Sequence, residues 1–117
     1  MQGARWNGTL LALAIAAVAL FTIVLTNQPS RAAVPLGEQL FQKNDCSTCH
    51  AVDHKVVGPS YQDVARKFAG QANAAQTLVD AIRKGHVGTW GQVPMPPHPN
   101  ISDSDLKEIV DWILSLK

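Results

Sequence analysis

Apolar positions follow two different rules along this chain. From Thr9 to Thr26 the segment TLLALAIAAVALFTIVLT runs without a charge, behind a short start whose single charged side chain is Arg5. From Leu36 onward apolar residues return at intervals of three and four, the mark of amphipathic helices. Leu36, Leu40 and Phe41 predict a short helix over Leu36–Asn44. Tyr61, Val64 and Phe68 predict a second within Ser60–Phe68, ended by Gly70. Ala74, Ala75, Leu78, Val79 and Ile82 share one stripe of a third over Gln71–Lys84, with Gly85 placed to stop it. The clearest element is the last. Ser102 is a good N-cap with Asp105 three residues on, and Leu106, Ile109, Val110, Ile113 and Leu114 then repeat on one face.

Between the third and last helices the pattern fails. Gly85 to Asn100 (GHVGTWGQVPMPPHPN) holds three glycines and four prolines in sixteen residues. Neither a helix nor a central strand tolerates that composition, so an extended loop is expected, held by something other than its own backbone hydrogen bonds. No alternation of period two and no internal repeat is visible. The expected fold class is all-α.

The apolar start changes the reading of length. A charged beginning, an apolar run and then Ser30-Arg31-Ala32-Ala33 after Pro29 match the order of a secretory signal peptide. The run is long for that purpose: eighteen residues as a helix span roughly 27 Å, close to a bilayer core. Residues 1–32 are therefore expected to be a signal peptide cleaved near Ala32 or a retained N-terminal membrane anchor. Either way the remainder, residues 33–117, is exported. That remainder carries eight basic and nine acidic side chains, a net charge of −1, which points to neither nucleic acid nor an anionic membrane surface. About 85 residues bury only a modest core and tend to need a disulfide, metal or cofactor to hold them. Two cysteines are available for that purpose.

They stand in Cys46-Ser47-Thr48-Cys49-His50, the C-x-x-C-H pattern of covalent haem attachment. Two cysteines three apart reach the same side of one turn, where both sulfurs can add to the vinyl groups of one haem c. The histidine next in the chain then presents a ring nitrogen to the iron. A zinc site would need two further ligands, and no second cysteine pair exists. A thioredoxin-like disulfide would need a βαβ context that the chain lacks. Export, the adjacent histidine and the helical pattern favour haem.

A second iron ligand must come from elsewhere, and the candidates are Met95, His54, His86 and His98. Met95 is set in Val93-Pro94-Met95-Pro96-Pro97, where prolines stiffen the chain around a thioether that has no amphipathic element to pack with. His54 lies too close to His50 in sequence to swing to the other side of the ring system. Pro59 is placed to offer its carbonyl to the second ring nitrogen of His50. Trp90 can donate its indole N–H to a haem propionate or cover the porphyrin. Phe41 and Trp112 are expected to form the contact between the first and last helices.

The segments LFQKNDCSTCHAVD, VGPSYQDVARKFAGQ, GTWGQVPMPP and SDSDLKEIVDWILS together resemble the short class I cytochromes c of bacteria over nearly all of residues 36–117. The resemblance implies a class I cytochrome c fold of four or five short helices around one covalently bound haem. It implies His50 and Met95 as iron ligands, Pro59 and Trp90 as partners of the site, and crossed terminal helices. The activity it implies is one-electron transfer in the periplasm by a monomer that is not an enzyme. Its partners would be redox proteins such as a nitrite reductase, a terminal oxidase or a quinol–cytochrome c reductase, steered by lysines such as Lys43, Lys55 and Lys84. A membrane-tethered subunit of a respiratory complex is the alternative if the leader is retained; a ligand-binding sensor or peroxidase-like protein is the more distant one. His98-Pro99 lengthens the connection after Met95 relative to the family.

Overall fold

In the computed structural model of the chain, residues 32–116 are described. The apolar stretch Thr9–Thr26 and the segment before Ala32 lie outside the described residues, and with them the expected leader, cleaved or retained. Among the described residues no helix is long and apolar enough to cross a membrane. The elements run α1 (Leu36–Lys43), a single 3₁₀ turn (Cys46–Thr48), α2 (Tyr61–Phe68), α3 (Ala74–Lys84), strands β1 (His86–Gly88) and β2 (Gly91–Met95), and α4 (Asp103–Ser115).

α4 is the centre of the core. Leu106, Ile109 and Val110 are almost completely buried, and Ile113 and Trp112 nearly so. The helix starts where the sequence places its cap: Ser102 Oγ accepts the Asp105 N–H at 3.1 Å, with Asp103 and Asp105 at the positive end of the helix. α1 crosses it, and α2 and α3 pack on it in turn. At the α1–α4 crossing Phe41 and Trp112 meet with ring centroids 5.7 Å apart, as expected for the contact between terminal helices.

Leu36 does not belong to the buried face of α1. It is 52% exposed, while Gly37 beside it is buried. A Cβ at Gly37 would overlap the Trp112 Cβ and lie 2.6 Å from the Glu108 carbonyl oxygen, so the absent side chain is what lets the two helix backbones approach. A pattern search for apolar residues passes over a position whose contribution is to have no side chain. α3 likewise begins at Ala74 rather than Gln71; the three residues before it form turns, and Ala75 faces solvent.

The glycine- and proline-rich segment differs from expectation in one respect. Rather than a loop without its own hydrogen bonds, it contains a two-stranded antiparallel hairpin, pairing His86 with Met95 and Gly88 with Gly91 around Thr89-Trp90. The composition permits this for two reasons. Gly88 and Gly91 take φ of 101° and 125°, conformations closed to most side chains. Both strands are also edges, so Pro94 has an open side where its missing N–H costs no ladder bond. The domain remains mainly helical.

Gly37→Ala is expected to destabilise the protein by about 2 kcal/mol or more, since neither the Trp112 Cβ nor the Glu108 backbone can give way. Denaturant midpoints of the haem-loaded protein check it, and an unchanged midpoint would mean that the crossing is looser than described. At α2, Ser60 Oγ accepts the Asp63 N–H at 3.1 Å and donates to Asp63 Oδ2 at 2.8 Å, and Arg66 pairs with the same carboxylate. The Ser60 and Arg66 hydrogen bonds hold Asp63 below the usual carboxylate range. A depressed folded pKa stabilises above the unfolded value and is lost as pH falls through the folded one. Asp63→Asn should therefore shrink the decline in melting temperature between about pH 5 and about pH 3, a difference read by comparing the two proteins at both pH values.

Candidate functional site

The site begins where α1 ends. Asn44 donates from both its backbone N–H and its Nδ2 to the Leu40 carbonyl, closing the helix, and Asp45 takes a left-handed φ of 57° that turns the chain. Aspartate tolerates that conformation better than most residues. The turn leads directly into Cys46. The N–H groups of Cys49 and His50 both point to the Cys46 carbonyl, at 3.2 and 3.0 Å. The 3₁₀ turn covers Cys46–Thr48 and Cys49 caps it; of the two cysteines, Cys49 lines the cleft described below and Cys46 packs toward the core.

Residues 51–59 fold back over this turn. Val57 and Gly58 N–H groups both donate to the Cys49 carbonyl, at 3.1 and 2.9 Å, while Tyr61 and Gln62 donate to Ala51 and Val52. The result is that the Pro59 carbonyl stands 2.8 Å from His50 Nδ1. A carbonyl can only accept, so Nδ1 carries the proton and the neutral ring keeps its lone pair on Nε2, the atom free for a metal. The ring is buried, 9% exposed. Gly58 is pressed against it: a Cβ there would overlap His50 Cε1 and lie 2.8 Å from both ring nitrogens. Gly58 is therefore a site residue for its lack of a side chain, and in the sequence it reads only as half of a turn.

Met95 reaches the same region from the other end of the chain. It closes β2 opposite His86, and Gly85 explains how it gets so near α3. With φ of 79° and no Cβ, Gly85 lets the Met95 carbonyl and the Pro97 nitrogen pack where a side chain would otherwise stand. Downstream, the His98 N–H donates to the Ile82 carbonyl at 2.9 Å, and Arg83 reaches both the Pro99 carbonyl and Asp103. The proline-flanked methionine is thus strapped to the C-terminal end of α3, a restraint that the prolines alone did not reveal.

A cleft of about 260 Å³ lies between these parts. Cys49, His50, Pro59, Trp90 and Met95 all line it, among apolar neighbours that include Val64, Leu78, Ile82 and Val93. Five of the six sequence-predicted site residues are brought together in that wall. Cys46 lies behind it, its sulfur packed against the core and 3.7 Å from the Asn44 carbonyl. Burial pushes the Cys46 thiol up, opposed in part by a hydrogen bond from Tyr61. Of the three histidines weighed against Met95, His54 pairs with Asp53 in solvent, His86 lines the cleft with its Nε2 bonded to Thr89 Oγ1, and His98 is held by its backbone N–H to α3 and is not part of the lining. Trp90 is partly exposed at the mouth, with Lys67 Nζ 5.4 Å above its ring.

The residues present fit a haem. The chemistry on offer is one imidazole with a free Nε2 and one thioether facing a common apolar cleft, with a thiol in the wall and a second one turn away. The family model described as Cytochrome c matches residues 34–117. The chain is 47% identical over 81 residues to the cytochrome c-551 of Azotobacter vinelandii, an alignment covering 69% of this chain and 98% of that one. It is 51% identical over 78 residues to the cytochrome c-552 of Nitrosomonas europaea, covering 67% and 76%. The crystal structure of wild type Nitrosomonas europaea cytochrome c552 superposes with a TM-score of 0.66 at 50% identity, covering 68% of this chain and 99% of the other.

Gly58→Ala is expected to lower stability by about 1–3 kcal/mol, because the added methyl meets the His50 ring and the Cys49 carbonyl bonds prevent the loop from lifting away. Thermal melts of the haem-loaded protein check it; a neutral result would show that the loop is free to move off the imidazole.

Proposed function

The chain belongs to the cytochrome c family, and on that premise we propose that His50 and Met95 are the two protein ligands of its haem iron. The protein is a monohaem one-electron carrier whose haem c is bonded to Cys46 and Cys49. When bound, haem c supplies a ferric–ferrous couple. That His50 and Met95 line one apolar cleft, each fixed by its own set of backbone contacts, is the observation that carries the ligand assignment.

The chain's own part in electron transfer is to keep both ligands still. Pro59 holds the proton on His50 Nδ1, which makes Nε2 the donor atom in every redox state. Gly85, Ile82 and Arg83 hold the Met95 segment, so the thioether needs no search for its position. A thioether is a softer and weaker donor than a second imidazole and raises the potential relative to a bis-histidine site. The apolar lining works in the same direction, since low dielectric penalises the more highly charged ferric centre. Trp90 would hold a haem propionate through its indole N–H, and Lys67, whose Nζ lies 5.4 Å from the centroid of the Trp90 ring, would supply a positive charge nearby.

Val56, Val57, Val87 and Val93 stay 47–66% exposed around the opening. A small apolar rim of this kind suits brief docking with a redox partner, which needs little buried area. Of the three lysines expected to steer partners, Lys55 lines the cleft, while Lys84 is tied to Asp80 at 3.3 Å. Lys55 is thus the better placed. The carrier works as a monomer in the periplasm, delivers electrons to or from a nitrite reductase, terminal oxidase or quinol–cytochrome c reductase, and catalyses no reaction of its own. Its first 32 residues direct export, by a cleaved signal peptide or as an anchor.

The optical spectrum of the ferric protein should show the weak far-red band of an iron–methionine sulfur bond, with a sharp low-spin spectrum on reduction. Met95→Ala should abolish the band, lower the midpoint potential and let the ferrous protein bind carbon monoxide. If the band persists in Met95→Ala, another side chain is the ligand and the assignment falls.

A further inference from the structure

Tyr61 has no part in the pattern that marks the site, yet it touches two of the four side chains proposed to hold the cofactor. Its ring stacks on the His50 imidazole with centroids 5.1 Å apart and planes 28° from parallel. Its hydroxyl lies beside the Cys46 sulfur. The residue is 5% exposed and is wedged on its other sides by Phe41, edge-on at 5.2 Å, and Trp112, edge-on at 5.6 Å. It is also anchored at its own backbone, where its N–H donates to the Ala51 carbonyl one residue beyond His50.

The other restraints on His50 leave one motion open. The Pro59 carbonyl restrains Nδ1, which together with the Cβ–Cγ bond sets the ring plane, but a single hydrogen bond bends readily and leaves the ring able to rock about Cβ–Cγ. Gly58 limits how far the ring moves but carries no side chain that could move with it. A face-to-face contact is different, because turning the imidazole would drive it into a phenol ring that two further aromatic side chains hold in place.

We propose that Tyr61 is the positioning residue that fixes the plane of the His50 imidazole, transmitting the rigidity of the Phe41–Trp112 helix crossing to the iron ligand. The inference rests on the reading of His50 as a ligand and adds to it a residue that never touches the iron. In a carrier of single electrons this matters because the direction of the imidazole plane, together with that of the methionine sulfur, would set the electronic axes of the ferric state. A ring free to turn would present a spread of ferric states to each partner.

The test is electron paramagnetic resonance of the haem-loaded ferric protein, compared with Tyr61→Phe and Tyr61→Leu. Phenylalanine keeps the stack, so Tyr61→Phe should retain the parent's g values and line widths. Leucine removes it, so Tyr61→Leu should broaden the lines, shift the largest g value and move the midpoint potential. Loss of packing alone would lower the melting temperature of the leucine variant without moving the g values. A folded, low-spin Tyr61→Leu protein whose spectrum superimposes on the parent's overturns the proposal. If the leucine variant does not accumulate, the ferrous parent decides by NMR. Cross-relaxation between the Tyr61 and His50 rings, with slow flipping of Tyr61, supports the clamp; its absence overturns it. A ferric parent that is high-spin would count against Met95 as the second ligand and not against His50; absence from the ferrous NMR spectrum of haem-shifted His50 ring protons would overturn the ligand reading of His50, and the clamp with it.

Discussion

The hydrogen bond from His50 Nδ1 to the Pro59 carbonyl, 2.8 Å long, is the contact on which the rest of the site depends. It decides which nitrogen of the ring is available, and it exists only because the loop between residues 51 and 59 is stitched back onto the Cys49 carbonyl by two N–H groups. That loop in turn feeds α2, whose first residue, Tyr61, returns to the imidazole face. One short stretch of chain therefore supplies the ligand, its tautomer, the glycine that admits the ring and the aromatic that stacks on it. A perturbation anywhere in the stretch reaches the imidazole, because no flexible side chain lies between.

Met95 is held by a separate device. The hairpin and the Gly85 approach bring it to the cleft, and the bonds from His98 and Arg83 tie its far side to α3 and α4. The two ligands thus rest on different halves of the fold, and α4 is the common support under both. Its buried face carries α1 with the attachment turn on one side and α3 with the methionine strap on another. This is how a domain of about 85 residues can present two fixed side chains to one cleft. Its core is small, but α2, α3 and α4 each contribute side chains to the cleft wall. Bonding the cofactor at two sulfurs adds the covalent constraint that a core of this size lacks by itself.

Much of this was legible in the residues. The spacing of Cys46, Cys49 and His50 named the cofactor, the stripe on α4 named the centre of the core, and Ser102 and Gly85 marked helix ends where they occur. Pro59 and the Phe41–Trp112 contact also stand where the family pattern puts them. What escaped is of one kind. Gly37, Gly58 and Gly85 each act through a side chain that is missing, and Tyr61 looks like an ordinary core residue of α2. The hairpin at His86–Met95 escaped because its strands are too short and too rich in glycine and proline to alternate.

The sequence by itself determined the chemistry, since covalent attachment and iron ligation depend on residue identity at fixed local spacing, and it determined the helices, whose periodicity is local too. Only the tertiary structure decided how the ligands are held. The close approach of Gly37 to Trp112, the Gly58 backbone against the imidazole, the stack of Tyr61 on His50 and the strap from Met95 to α3 all join residues whose meeting is set by the packing of helices on α4. Contacts of that sort have no period along the chain, because they express the fit of two surfaces rather than the geometry of one.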